Sequence, residues 1–321
     1  MMKRRHALAA LAATATTLAR GQGTTARQIR LVAPQPAGTG PDVLARTLAE
    51  EMSKILGQSV VVENKTGANG TLAAGYVLAQ PADGHTLFLA GVSNMAWNPF
   101  LYKAMTHVPS RDFAGVAVIA NTPFVTAVAP SLGVKSLADL VKKAKAEPGK
   151  LSFASSGIGN STHLATELLM ARTGIQMQHV PFGGTGGPSA MTSVISGETP
   201  VITTVPVSVV PQVKAGKLTA LAVTGERRLA QLPDVPTFTE LGIEMDVPGW
   251  YSIVTRAGSP PDVIQRLNSA LNKAIETPQV MERLNQQMLT PIRSVPSDVE
   301  RLTARDSAAW GPLIQRLGIA Q

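Results

Sequence analysis

Three stretches of the chain concentrate residues that can hold a small anion without a cation. They run from Pro34 to Asp42 (Gln35, Gly38, Thr39 and Gly40 among them), from Ala154 to His163 (Ser155, Ser156, Gly157, Gly159, Ser161), and from Pro181 to Pro188, where Gly183-Gly184-Thr185-Gly186-Gly187 is the centre. Small residues let backbone approach a ligand closely, and hydroxyls add directional donors. The free N–H groups of a helix start carry about half a positive charge. Such loops suit a carboxylate held by neutral donors. Each alone also reads as a tight strand–helix turn; three in two successive units point to a shared cleft. Asp42 has a plainer reading, as a first-turn carboxylate that stabilises its helix dipole.

Enzyme signatures do not accompany these loops. Gly38, Gly40 and Val43 lack the third glycine of a dinucleotide fingerprint, and no Walker-type Gly-Lys-Ser/Thr occurs. There is no Gly-x-Ser-x-Gly elbow and no His-Glu-x-x-His. His85, His107, His163 and His179 have no metal-ligand spacing and read as polar caps or surface residues; His163 and Glu167, four apart, read as a surface helix pair. The sequence therefore asks for no metal and no cofactor. A rival reading remains open: an exported α/β hydrolase with Ser156 or Ser161 as nucleophile.

The elements that must position these loops alternate. Ile29–Ala33 reads as a strand and Pro41 to Leu56 as a helix, with Pro41 at its first position and Gly57 ending it. Strands follow at Ser59–Glu63, Thr86–Gly91, Phe113–Ala120 and Phe124–Ala129, with a helix over Gly70–Gln80. The pattern restarts with helices at Leu137–Glu147, Ser161–Arg172 and Pro188–Ser196, and strands at Leu151–Ala154, Met177–Pro181, Val201–Val205 and Leu218–Val223. Such alternation predicts an α/β fold of largely parallel sheets flanked by helices. After a strand at Trp250–Thr255, three helical stretches (Pro261–Glu276, Gln279–Met288, Ser297–Leu317) read as packing helices outside both halves.

Length and composition set the frame. The 321 residues carry a net charge of +8, but only 16% are charged, too sparse for a phosphate-binding stripe, and aromatics at 4% give nucleic acid little to stack on. No nucleic-acid partner is expected. There is no cysteine, which removes disulfides and thiol chemistry. Lys3, Arg4 and Arg5 precede an uncharged run from Ala7 to Leu18, and Thr17-Leu18-Ala19 offers a cleavage site. This three-part pattern predicts a signal peptide over residues 1–19, and hence an exported, periplasmic protein. Its removal takes three cations with it.

Several segments together resemble the Bug family of periplasmic solute-binding proteins, the TctC-type receptors of tripartite tricarboxylate transport systems. They are Glu63-Asn64-Lys65-Thr66-Gly67-Ala68-Asn69-Gly70, Pro81-Ala82-Asp83-Gly84-His85-Thr86-Leu87, Lys217-Leu218-Thr219-Ala220-Leu221-Ala222-Val223-Thr224 and Pro233-Asp234-Val235-Pro236-Thr237. Gly197-Glu198, Asn98-Pro99-Phe100-Leu101-Tyr102 and Ser161-Thr162-His163-Leu164-Ala165 add to the likeness, which runs over nearly the whole mature chain. The resemblance implies a two-lobed, Venus-flytrap fold of type II, with a small carboxylate in the cleft and integral-membrane transporter subunits as partners. Residues 25–122 and 227–321 would form one lobe and 123–226 the other, crossing near Thr122-Pro123 and Glu226-Arg227, in a monomer. Matching loops puts Gln35, Gly38, Thr39, Asp42, Asn69, Ser93 and Asn94 on one lobe's side of the cleft, and Ser155, Ser156, Ser161 and Thr204 on the other.

Two departures from the family pattern bear on the ligand. Thr204 stands where the family usually has Asp, with Pro200 in place of the preceding one, and Phe182-Gly183-Gly184 replaces Tyr-Lys-Gly. A cleft wall without that carboxylate is less suited to an amine, which argues against an amino-acid ligand. A sensor arm of a two-component kinase would share this fold and ligand.

Overall fold

The computed structural model describes residues 27–183 and 187–319. The predicted signal peptide, together with Gly184, Thr185 and Gly186, lies outside the described residues.

The chain opens with β1 (Ile29–Ala33), α1 (Gly40–Leu56), β2 (Val60–Asn64), α2 (Thr71–Leu78) and β3 (Thr86–Gly91). A π-helical turn at Ser93–Trp97 leads through the short helices α3 (Asn98–Leu101) and α4 (Pro109–Asp112) into β4 (Phe113–Asn121). The helix α1 forms as its sequence dictates. Leu44, Ala45, Leu48, Ala49 and Met52 recur at helical spacing and are buried, and Gly57 ends the helix in the left-handed conformation (φ 62°, ψ 27°).

The second half-unit comprises β5 (Val125–Val128), α5 (Leu137–Ala146), β6 (Ser152–Ser155), α6 (Ser161–Thr173), β7 (Gln178–Pro181), α7 (Gly187–Ser196), β8 (Val201–Thr204), α8 (Pro206–Lys214) and β9 (Thr219–Val223). The chain then adds β10 (Trp250–Arg256), α9 (Pro261–Ile275), α10 (Pro278–Gln286), β11 (Thr290–Pro291) and α11 (Ser297–Leu317). Helix α8 was not expected, because Pro211 inside it removes an N–H from the helical ladder.

Two sheets result. The first has the order β11-β4-β10-β3-β1-β2 and the second β7-β6-β8-β5-β9. Both are mixed rather than largely parallel: β10 runs antiparallel to β3 and β4, and β5 runs antiparallel to β8 and β9. These reversed strands follow the two passages between lobes. The chain leaves the first sheet after Asn121 and enters the second at Val125. On the way Thr122 N–H donates to the carbonyl of Gly249, 3.1 Å away, so the outgoing and returning strands touch.

The return lies later than the expected Glu226-Arg227. Thr237 bridges to Val223 in parallel, and Phe238 N–H donates to the Val223 carbonyl at 2.9 Å. The chain therefore borders the second sheet as far as Phe238 and rejoins the first only at Trp250. The Pro233–Pro236 stretch carries no periodicity that would reveal this pairing.

One core lies beneath α1, α9 and α10, built on Leu31, Leu48, Leu89, Ile253 and Leu271. Another covers the opposite face of the first sheet around Phe88, Trp97 and Trp250, and continues through Phe124 to Phe153 and Leu164 in the second lobe. The three C-terminal helices pack on the first lobe, against β4, α1 and the Ser93–Trp97 turn, rather than around both lobes. Among the described residues no helix is long and apolar enough to cross a membrane.

Candidate functional site

A cleft of about 830 Å³ opens between the sheets, where the loops leaving several strands meet helix starts. Gly40 and Pro41 bring the start of α1 to it, Ser161 and Thr162 that of α6, Gly187 and Pro188 that of α7, and Val207 and Ser208 that of α8. Its described lining contains no Asp, Glu, Lys, Arg or His. Backbone N–H groups, hydroxyls and side-chain amides are the polar groups it offers.

The first-lobe loop is held from behind. Asp42 is 2% exposed and accepts from Gly38 N–H (2.8 Å), Arg46 Nε (3.0 Å) and Asn64 Nδ2 (2.8 Å). Burial pushes its carboxyl pKa up, but the Arg46, Gly38 and Asn64 bonds outweigh this and hold it below the ordinary value. Asn64 also donates to the Gln35 carbonyl at 2.9 Å. Gly38 takes a left-handed φ of 82°, which lets the loop double back toward Asp42. Asp42 thus organises Gln35–Gly38 and does not line the cleft, contrary to the expectation from sequence.

A parallel arrangement supports the second-lobe loop. Asn160 caps α6 by accepting from Thr162 N–H (3.1 Å), and Ser156 N–H donates to Thr162 Oγ1 (2.9 Å). Ser155 is fully buried and lies behind the lining; its hydroxyl meets His179 Nε2 at 2.6 Å and the Gly157 carbonyl at 3.2 Å. His163 is no surface residue either. At 1% exposure it accepts from Gly159 N–H through Nδ1 (3.1 Å), faces Glu167 through Nε2 (3.3 Å), and stacks on His179 with ring centroids 3.7 Å apart. Burial and the neighbouring His163 depress the His179 pKa to about 3.

The two lobes meet at Asn69. Ala68 and Asn69 both adopt left-handed φ (45° and 48°), an uncommon pair for non-glycine residues. Asn94 and Asn98 fix the turn by donating to the Asn69 carbonyl at 2.8 and 3.1 Å. A Cβ on Gly70 would run into the Asn94 amide, so glycine is required there. The Asn69 amide then donates to Asn98 Oδ1 (2.9 Å) and across the gap to the Gly159 carbonyl (3.3 Å).

Of the residues singled out from sequence, Gln35, Gly38, Thr39, Asn69, Ser93, Asn94, Ser156, Ser161 and Thr204 line the cleft. Residues missed include Thr66, Tyr102, Ser208, Trp250, Tyr251 and Gln287. Thr66 lay within the quoted Glu63–Gly70 motif; the two aromatics at 250–251 arrive on a strand distant in sequence and carried no local signal. Burial pushes the Tyr251 phenol up to about 12 and the Tyr102 phenol upward. Among the described residues no three His, Asp or Glu side chains gather as a metal ion would need.

Residues 44–319 match the family model described as the tripartite tricarboxylate transporter family receptor. The chain belongs to this receptor family. Protein BugT of Bordetella pertussis is 32% identical over 296 residues, 91% of this chain and 90% of that protein. Two solved proteins from Rhodopseudomonas palustris superpose closely. One, solved with adipate, is 31% identical at a TM-score of 0.84, covering 92% of this chain and 98% of its own. The other, MatC with bound malate, is 27% identical at a TM-score of 0.81, covering 90% and 99%. Family membership accounts for the two-lobed fold.

Proposed function

We propose that this chain is a periplasmic receptor that closes on a small organic carboxylate and delivers it to the integral-membrane subunits of a tripartite tricarboxylate-type transporter. The observation that carries the reading is the charge-free cleft into which α1, α6, α7 and α8 point their N-termini. The Asp42 and Ser155 networks use their own N–H bonds to hold the loops around the cleft, so a carboxylate entering it meets a lining of fixed N–H and O–H groups, and charge-assisted bonds to such groups are the stronger ones. The ligand-facing set in this reading is Gln35, Gly38, Thr39, Asn69, Ser93, Asn94, Ser156, Ser161 and Thr204. Relatives solved with adipate and malate support a carboxylate as the ligand class.

Donors from both lobes engage one ligand only when the lobes are together, so affinity depends on the closed population. The hydrolase alternative loses its support at the serines. Ser156 and Ser161 have no histidine partner among the described residues, and the Ser155–His179 pair at 2.6 Å is buried behind the cleft. Binding without turnover fits this geometry, in a monomer that needs no cofactor.

Isothermal calorimetry of the purified chain with di- and tricarboxylates, aromatic acids, amino acids and amines tests the proposal. Saturable binding of a carboxylate, recovered chemically intact, is the expected result. At a hundredfold excess over Kd it should stabilise the fold by about 2.7 kcal/mol. Binding of a neutral or cationic solute with no response to any carboxylate would overturn it.

A further inference from the structure

Among the described residues, Ala68, Asn69 and Met288 are the non-glycine positions with a left-handed φ. The first two form the turn by which the first lobe reaches the second. Met288, at φ 56°, follows α10, whose end closes with two bonds. Met288 N–H donates to the Asn285 carbonyl (3.0 Å) and Leu289 N–H to the Leu284 carbonyl (2.9 Å). A helix end of this form needs a left-handed residue and favours glycine there. Gly57, Gly174 and Gly318 take that conformation after α1, α6 and α11. A methionine in the same place is strained, because its Cβ crowds the following carbonyl.

The side chain's contacts show what offsets that strain. Leu284 and Leu289 of the same turn are buried in the core beneath α1, and Thr290 and Pro291 pair with β4, so this backbone belongs to the first lobe. Met288 instead packs against an apolar cluster of the second lobe that includes Val125, Val209, Val210 and Leu218. Every other member of that cluster and of the side chains around it lies between Val125 and Val235. Gln287 and Leu289, on either side of Met288, line the cleft. An unbranched thioether suits such a contact because it fills irregular gaps. Resting on the receptor reading above, we propose that Met288 is a positioning residue for closure: its side chain reaches from the first lobe onto the second, favours the closed state, and holds Gln287 and Leu289 against the ligand space. It acts through the lobes and does not itself line the cleft.

Calorimetry with adipate and malate as probes tests the assignment, together with thermal melting of the ligand-free chain. Met288→Gly supplies the residue that the turn favours and removes the side chain. Its melting temperature should hold or rise, while affinity for whichever probe binds wild type falls about three- to tenfold. That opposition separates a role in closure from one in packing, which would lower both together. Met288→Leu, equally strained but apolar, should recover most of the affinity. Unchanged affinity in Met288→Gly, or a melting temperature that falls along with affinity, overturns the assignment while the receptor reading stands. If neither probe nor any other carboxylate binds wild type, the receptor reading fails, and small-angle scattering of the ligand-free chain decides the role of Met288. A larger radius of gyration in Met288→Gly than in wild type supports it, and equal radii overturn it.

Discussion

Asn69 of the first lobe donates its side-chain amide to the Gly159 carbonyl of the second at 3.3 Å, and Asn160 Nδ2 stands 3.5 Å from Asn69 Oδ1. The lobes are thus joined by protein groups at the rim of the cleft, beside the loop that carries Ser156 and Ser161. A clasp of this kind stabilises the closed state before any ligand arrives, which lowers the cost of closure and raises apparent affinity.

Removing the clasp should therefore open the molecule. Asn69→Gly keeps the left-handed backbone available and deletes the side chain. Losing the two cross-lobe hydrogen bonds, at about 0.5–1.5 kcal/mol each, shifts the open–closed balance roughly five- to a hundredfold. Small-angle scattering should report a larger radius of gyration without ligand, and calorimetry a weaker carboxylate affinity of the same order. Identical scattering curves for variant and wild type would exclude a clasp.

The passage between lobes offers a second test. A Cβ on Gly249 would collide with the Thr122 carbonyl, a backbone atom that cannot swing aside. Gly249→Ala should push the two crossing strands apart and break the 3.1 Å bond from Thr122 N–H. A loss of about 1–3 kcal/mol in urea denaturation is expected, with weaker binding because Thr122, Gly249 and Trp250 also line the cleft. Wild-type stability in this variant would mean that the crossings move independently.

Much of this architecture was legible in the sequence because local signals agreed with the fold. Pro41 and Gly57 bracket α1, its apolar spacing fits one face, and the glycine- and serine-rich loops fall at strand–helix junctions. What stayed hidden depends on contacts across the chain. Asp42 and Ser155 have the composition of ligand residues, yet their partners Arg46, Asn64 and His179 turn them away from the cleft. His163 shows no buried pattern in sequence because its environment is made by Phe153 and His179 on neighbouring strands. Tyr251 and Gln287 reach the cleft from segments more than 150 residues beyond the first loop, so no local window links them to it.

The role assigned to Asp42 makes a prediction opposite in sign to direct ligand contact. If its carboxylate faced the ligand, Asp42→Asn would remove a repulsive charge and strengthen anion binding. Because it instead anchors Gly38, Arg46 and Asn64, the substitution should loosen the loop. Carboxylate affinity should fall, with a loss of about 1–3 kcal/mol in stability at pH 7. The folded pKa lies below the ordinary 3.8, so this contribution is present above pH 3.8 and disappears as pH drops through the folded value. A gain in affinity would place Asp42 against the ligand.

His179 makes the fold sensitive to milder acid. Unfolded, it takes a proton near its ordinary 6.5; folded, only near 3, because burial and His163 disfavour the cation. Between those values the unfolded chain binds more protons, so stability falls as pH decreases from 6.5 towards about 3, and this group contributes no slope above 6.5. His179→Gln preserves a hydrogen-bonding partner for Ser155 and removes the titration. Its melting temperature should decline less steeply with acidification over that window; parallel curves would assign the acid sensitivity elsewhere.

The uncharged cleft can be tested by adding the charge it lacks. Thr204 ends β8, is 5% exposed, and lines the cleft beside Val205. No aspartate, glutamate or histidine faces it from the described lining, so the affinity of wild type for a fully ionised carboxylate should be flat between about pH 6 and 8. Thr204→Asp would place an anion among the donors. At a separation near 4 Å in a partly buried site, like charges repel by several kcal/mol, so carboxylate affinity at pH 7 should drop at least about tenfold. Burial disfavours the ionised side chain, so affinity should recover as acid protonates it, giving a pH dependence that wild type lacks. Ligands bearing an amine should lose less than carboxylates without one, or gain. Calorimetry at two pH values measures both effects. Unchanged carboxylate binding in Thr204→Asp would place the ligand's charge away from β8.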